Sequence, residues 1–365
     1  NRLSVSGDYY RRYTTDMYTA SVALPAVYGT GSPKGNNAEM KTDGWELSLS
    51  WRDSFKLGGK PFDYSIKAMV WDSKSVITKY VNDTGSLGTV KGFIENGGSP
   101  SSYYVGMTVG EIWGYTVAGL FRDQADIDSS AIHDFLQASD KVTRPGQVKI
   151  ADLDGNGFID PGNFAVDDHG DLRIIGNQSP RYRYGVNLSA RWNGIGLSVF
   201  LQGVGARDWY PGSDAGMFWG KYGRPFFALI PSIHNYTDDM YSAERNNWDT
   251  AYWPRMTTYQ SNGTKNWTRL LEIPNTRYIQ SAAYLRVKNI QLDYSFPKHI
   301  CSAIRLQGLK IYVNAENLFT FTPLHKYAPN FDPEGLSYDS DFASAADGYT
   351  YPILKSVTVG VNITF

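Results

Sequence analysis

Apolar and polar residues alternate with a period of two along much of this chain, and the alternation predicts strands rather than helices. The clearest stretch is RYRYGVNLSARW at 181–192. Tyr182, Tyr184, Val186, Leu188, Ala190 and Trp192 share one face; Arg181, Arg183, Gly185, Asn187, Ser189 and Arg191 share the other. Asn193-Gly194 follows, the two-residue signature of a tight hairpin, and IGLSVFLQGV at 195–204 alternates again. WELSLSWR (45–52), FDYSIKAMV (62–70), IQLDYSF (290–296), LKIYVNA (309–315) and SVTVGVNITF (356–365) repeat the pattern, with NRLSVSGDYY (1–10) a weaker member. The predicted strands are eight: about 2–22, 43–53, 62–81, 181–192, 195–204, 284–297, 308–321 and 353–365.

A soluble β-sandwich and a membrane β-barrel both alternate in this way, and three details favour the barrel. Aromatics sit at the ends of the apolar stripes, as in Tyr182, Tyr184 and Trp192, or Trp45 and Trp51. From Tyr182 to Trp192, at about 3.4 Å per residue and a tilt near 45°, the stripe spans roughly 24 Å of membrane normal, close to the apolar band of an outer-membrane barrel. The opposite face is strongly polar. The connections alternate in length: 53–61, 193–194 and 297–308 are short, whereas 24–42, 82–180, 205–283 and 322–352 are long. Short turns on one side and long loops on the other is the asymmetry of such a barrel, with the long loops outside the cell. The expected fold is therefore all-β, a transmembrane antiparallel barrel with long extracellular loops.

Composition narrows the function. A net charge of −1 gives no electrostatic case for nucleic acid. The single cysteine, Cys301, falls in a predicted periplasmic turn and forms no disulfide framework. The five histidines have no metal-ligand spacing, no apolar run is long enough for a transmembrane helix, and no N-terminal signal peptide is read. Aromatic residues make up 15% of the chain, which suits strands and interfaces. No nucleophile–base arrangement, paired-carboxylate site or phosphate loop is present, so no enzyme is expected. Residues 123–138, DQADIDSSAIHDFLQA, predict a short surface helix.

Two stretches carry candidate chemistry. DLDGNGFID at 152–160 opens like an EF-hand calcium loop. Asp152, Asp154 and Asp160 supply carboxylates, Asn156 an amide oxygen and Phe158 its main-chain carbonyl: hard oxygen donors suited to Ca²⁺ or Mg²⁺. Position 12 is Asn163 rather than Glu, with Asp167 or Asp168 as substitutes, and the flanks predict no helices, so an ion that stiffens a loop is expected rather than a sensor. A polar turn is the competing reading. The second stretch is the connection 205–283, rich in Trp and Tyr. Trp209, Trp219, Trp248 and Trp253 are candidate sugar platforms beside Asp, Asn and Arg; the competing reading is that they pack the loop itself or meet a partner. Arg183, Asn187, Arg191, Gln202, Gln291 and Asp293 are expected to face the lumen.

The run IADLDGNGFID…IIGNQSPRYRYGVNLSARWNGIGLSVFLQGVG resembles the C-terminal barrel segment of SusC-like TonB-dependent outer-membrane transporters of Bacteroidetes. So do NRLSVSGDYYRRYTTDMY, NAEMKTDGWELSLSWRD, VGEIWGYTVAGLF, LRVKNIQLDYSFP, LKIYVNAENLFTFT and the terminal aromatic strand, in order and over nearly the whole chain. The resemblance implies a 22-stranded barrel filled by an N-terminal plug, with residues 1–365 as its C-terminal part and the plug and N-terminal strands outside this chain. It implies a SusD-like surface lipoprotein as lid, energy supplied through the TonB complex, and active import of oligosaccharides or, in some members, peptides. A soluble, calcium-stabilised carbohydrate-binding β module remains the rival from another class.

Overall fold

A computed structural model describes residues 2–21, 27, 29, 33–82, 86–87, 103–132, 143–211, 216–219, 239–255, 273–336 and 353–365. Eight long strands form one antiparallel sheet: β1 (Leu3–Ala20), β2 (Lys34–Leu57), β3 (Lys60–Lys79), β4 (Arg181–Trp192), β5 (Ile195–Ala206), β6 (Tyr284–Ser295), β7 (Gly308–Phe321) and β8 (Ser356–Thr364). Each pairs with its neighbours in chain order, and β1 and β8 are the two edges.

Register turns the alternation of single strands into bands across the sheet. One row reads Leu3, Trp51, Ile66, Leu188, Val199, Ile290, Ala315, Val357, apolar on all eight strands. On the opposite face Arg52, Ser65, Ser189, Ser198, Gln291, Asn314 and Thr358 form a row that is polar throughout. Toward the short turns the apolar face ends in Phe55, Phe62, Trp192 and Tyr294. Toward the long connections it ends in Tyr9, Trp45, Tyr184 and Phe321. The band stands open on the interior strands too: Ile66 is 44% exposed, Leu197 42% and Leu292 53%. A sandwich would bury that face against a second sheet, whereas lipid covers it in a barrel. The soluble-module reading fails on this point. Among the described residues no helix is long and apolar enough to cross a membrane; here strands are the crossing elements.

The turns follow from their residues. Gly58-Gly59 and Asn193-Gly194 have positive φ at both positions, the geometry that matches the twist of a two-residue hairpin. The third short connection holds a helix, Lys298–Ala303, which the strand pattern did not predict and which buries Cys301. Directly opposed Tyr–Gly pairs tighten the wall, since Tyr10 lies over Gly44, Tyr184 over Gly203 and Tyr312 over Gly360. A Cβ at Gly203 would come within 2.3 Å of the Tyr184 ring.

Strand β2 begins at Lys34, nine residues before its expected start at 43. Residues 34–42 pair with β1 through register shifts around Thr14, Met17 and Tyr18. This part of the ribbon lies beyond the apolar band, so hydrogen bonding continues without the alternation that reveals a strand in sequence.

The described parts of the connections 82–180, 205–283 and 322–352 pack together. They contain small antiparallel pairs, Glu111–Tyr115 with Leu172–Asn177, Val117–Leu120 with Val148–Ile150, and Asp208–Trp209 with Gln280–Ser281. The expected helix near 123–138 is one turn, Gln124–Asp128, capped by the Asp123 carboxylate, which accepts from Asp126 N at 2.8 Å; residues 133–138 lie outside the described residues. The cluster of buried apolar side chains is built from these connections rather than from the sheet, with Tyr115, Trp209, Phe218, Trp253, Tyr278 and Leu324 at its centre. If the connections face outside, trypsin added to intact cells cuts after the exposed Arg245; complete protection of 239–255 under conditions that cleave other surface proteins would reverse the orientation.

Candidate functional site

Residues 151–171 join strand Val148–Ile150 to strand Leu172–Asn177, so the acidic loop is flanked by strands and not by the helices of a sensor. Gly155 and Gly157 take φ of 77° and 85° and turn the chain sharply. Asp152 accepts from Gly155 N at 2.6 Å and from Gly157 N at 2.9 Å, and these amides hold its carboxyl below the usual carboxylate range. The carboxylates of Asp152, Asp154 and Asp171 bring one oxygen each within 4.8 Å of one another.

Asp171 is the residue that sequence reasoning missed. It is the twentieth residue counted from Asp152, beyond a twelve-residue template, and nothing near it marks it as part of the loop. Its fully buried carboxylate accepts from Leu153 N at 2.6 Å and from Asp160 N at 3.0 Å, tying the end of the segment back to its start. Burial, and then the nearby Asp154 and Asp152, push its pKa up. The other expected ligands are engaged differently. Asn156 turns its amide oxygen to Phe158 N at 2.7 Å and donates its NH₂ to Asp154 at 3.2 Å and Asp160 at 3.0 Å. Asp160 also accepts from Gly162 N at 2.7 Å. Gly157 O, rather than Phe158 O, accepts from Ile132 N at 2.9 Å. Asp168, expected as a substitute ligand, accepts from the Asn163 side chain. Three carboxylates at this spacing suit a hard divalent cation.

The four tryptophans fall into two environments. Trp209 is 1% exposed, Trp219 3% and Trp253 0%, while Trp248 lies half-buried at the margin of the same cluster. Trp253 stacks on Tyr278 with centroids 5.6 Å apart and meets Phe218 and Trp219 edge-on. Trp209 packs against Phe331 at 4.9 Å. Three of the candidate platforms therefore have no open ring face; they form the interior of the connections, packed with Phe218, Tyr278 and Phe331. Burial pushes the hydroxyls of Tyr252 and Tyr278 far up.

The six residues expected on the lumen side all lie on the polar face. Arg191 opposes Asp63, Asp293 opposes Gly196 and Tyr312, Asn187 opposes Lys67, and Gln291 opposes Asn314. Near the long-connection rim this face carries a latch that the sequence did not reveal. A β-bulge between Val287 and Asn289 interrupts both pairings of β6. Lys288 occupies the bulge and Arg286 lies in register two residues before it; both reach the FDPEG segment at 331–335. Arg286 donates to Thr320 Oγ1 at 2.9 Å, to Asp332 at 2.6 Å and to Glu334; Lys288 and Gln202 reach Glu334 at 2.9 and 3.3 Å. Arg207 holds the carbonyls of Pro333 and Leu336 at 3.1 and 3.0 Å. The connection after β7 is thereby drawn onto the inner face of the wall, and Leu324, Ala328 and Phe331 join the aromatic cluster.

No protein-family model matches the chain. TonB-dependent receptor P3 of Formosa agariphila is 26% identical over 373 residues, covering 100% of this chain and 32% of that protein. TonB-dependent receptor P26 of the same organism is 22% identical over 364 residues, covering 98% of this chain and 32% of that protein. The chain thus spans about a third of the length of the curated relatives it matches. Among solved structures, the RagAB peptide transporter superposes with a TM-score of 0.61 at 20% identity, over 100% of this chain and 34% of that one. The RagAB peptide importer in its open-open state gives 0.62 at 17% identity, over 100% and 33%.

Proposed function

Since this chain is a segment of an outer-membrane barrel of the SusC-like TonB-dependent receptor type, we propose that residues 1–365 form the C-terminal third of a nutrient importer energised through TonB. The observation that carries this reading is the apolar band, continuous over eight strands and backed by a polar inner face. The segment works as wall, rim and external loops of a transporter and not as an enzyme. Its open edges at β1 and β8 pair with the remaining strands of a wide, 22-stranded barrel, because lipid tolerates no unpaired strand edge. A plug fills the lumen, and a SusD-like surface lipoprotein covers the long connections.

The cargo is a polar oligomer. Hydroxyls and amides from Ser65, Ser189, Ser198, Gln291 and Asn314 line the inner face and suit a glycan. A peptide is the second reading, supported by the mixed charges of Arg52, Asp63, Lys67, Arg191 and Asp293 on that face and by the likeness to the RagAB peptide transporter. Uptake of labelled oligosaccharides and of labelled oligopeptides by cells with and without the intact transporter separates the two. Equal uptake of both cargoes in both strains would sink the importer reading.

The loop 151–171 holds one Ca²⁺ or Mg²⁺ between Asp152, Asp154 and Asp171, and that ion offsets the repulsion among three carboxylates. Hydrogen exchange of 151–171 in the intact transporter slows as Ca²⁺ is added, with the effect lost in Asp154→Ala. Superimposable calcium titrations of the two proteins would remove the site.

A further inference from the structure

Three cations stand on the lipid-facing side of the sheet, immediately beyond the aromatic row at the long-connection end. The register fixes their place. Above Tyr9–Trp45 the next row is Arg11–Asp43–Lys74, and above that comes Tyr13–Lys41–Val76. From Phe55, in the aromatic row near the short turns, to Asp43 is twelve residues; at about 3.4 Å each and a tilt near 45° this is roughly 29 Å of membrane normal. The cluster therefore sits just past an apolar band about 25 Å tall, at headgroup level.

One carboxylate holds two of the three cations, and register places Lys74 directly across from it. Asp43 accepts from Arg11 Nε at 2.5 Å and from Tyr9 OH at 3.1 Å, and lies 3.1 Å from Lys41 Nζ. Among the described residues, three cations against one anion leave a net charge of +2. The side chains are open, Arg11 by 46% and Lys41 by 31%, and Lys74 is exposed. The ion pair in the row of Trp45 behaves differently. Asp72 takes both Nε and Nη2 of Arg181, at 2.6 and 2.5 Å, and is itself buried, so that pair is closed and neutral.

We propose that Arg11, Lys41 and Lys74 form a seat for the phosphate groups of an anionic glycolipid in the outer leaflet, with Asp43 as the positioning residue. Charge complementarity selects the ligand: a net positive cluster flanked by the exposed rings of Tyr9 and Tyr13 meets a phosphorylated headgroup on one side and acyl chains on the other. A free phosphate offers the same charge without the chains. The proposal rests on the outer-membrane barrel reading and on the long connections facing outside.

The test uses the intact transporter in detergent, where binding does not depend on orientation in the cell. Native mass spectrometry follows titration with diphosphoryl lipid A, with the same glycolipid stripped of its phosphates, and with inorganic pyrophosphate. Wild type is expected to prefer the diphosphoryl form. The triple variant Arg11→Gln, Lys41→Gln, Lys74→Gln loses on the order of a hundredfold in affinity for it, at about 1 kcal/mol per cation, and little for the stripped form. Lys74→Gln alone, at a side chain with no hydrogen bond or ion pair among the described residues, loses about fivefold. Equal binding of the diphosphoryl form by wild type and Lys74→Gln overturns the seat. Pyrophosphate binding as tightly as the glycolipid overturns the lipid as its occupant. The trypsin experiment at Arg245 reports on orientation separately.

Discussion

Replacing Arg286 by methionine is expected to release the connection after β7 from the inner face of the barrel. The Arg286 side chain is 3% exposed and serves Asp332, Glu334 and Thr320 together. Without the guanidinium, the Asp332 carboxylate retains the Glu334 amide at 2.9 Å, and Glu334 retains Lys288 and Gln202. Two carboxylates, each 20% exposed, then face each other across an emptied site. Removing one partner of a buried ion pair costs about 3–5 kcal/mol, because the remaining charge stays desolvated. Discounted for the partial exposure of the acids, about 3 kcal/mol is expected here, a factor on the order of a hundred in local opening. Hydrogen exchange at the amides of Ala328 and Phe331 in the intact transporter reads it directly. Neutralising the acids as well, with Asp332→Asn and Glu334→Gln in the Arg286→Met background, restores much of the protection. Unchanged exchange in Arg286→Met would mean that the aromatic cluster alone holds the segment.

This latch illustrates what the sequence could and could not disclose. The wall was legible because lipid on one side and water on the other impose a strict period of two. β4 and β7 occupy 181–192 and 308–321, as the alternation of RYRYGVNLSARW and LKIYVNA implies. Residues 34–42 were not legible as strand, since beyond the lipid neither face must be apolar. The bulge at Lys288 was not legible either, because a single inserted residue inside LRVKNIQLDYS leaves the pattern on both sides intact. DLDGNGFID announced its acids by spacing, but its third carboxylate, Asp171, arrives through the fold: strand Leu172–Asn177 carries the chain back beside strand Glu111–Tyr115 and brings the preceding residue to the loop. The tryptophans were legible as a group and not as individuals. Composition says that they cluster; only packing says which ring faces remain open.

Trp253→Ala is therefore expected to unfold the connection rather than to remove a ligand contact. Trp253 is fully buried against Tyr278, Phe218, Trp219 and Tyr252. Its backbone donates to Asp239 O at 2.8 Å and accepts from Tyr241 N at 2.9 Å, so the side chain anchors the segment that crosses beneath it. Truncating a buried tryptophan costs about 3–5 kcal/mol in lost transfer energy and cavity formation. Tyr241, Tyr278 and Leu324 share the cluster, so fast exchange is expected to spread across 239–255 and 273–282 and into 322–336. Trp248→Ala removes a half-buried ring at the margin and costs about 1 kcal/mol or less. Uptake separates the two roles. A cargo contact on this loop belongs to Trp248, whose substitution then lowers uptake while exchange stays as in wild type. Trp253→Ala lowers uptake only together with the loss of protection. Exchange in Trp253→Ala that matches wild type, with uptake alone reduced, would return Trp253 to the role of a ligand platform and contradict its place in the core.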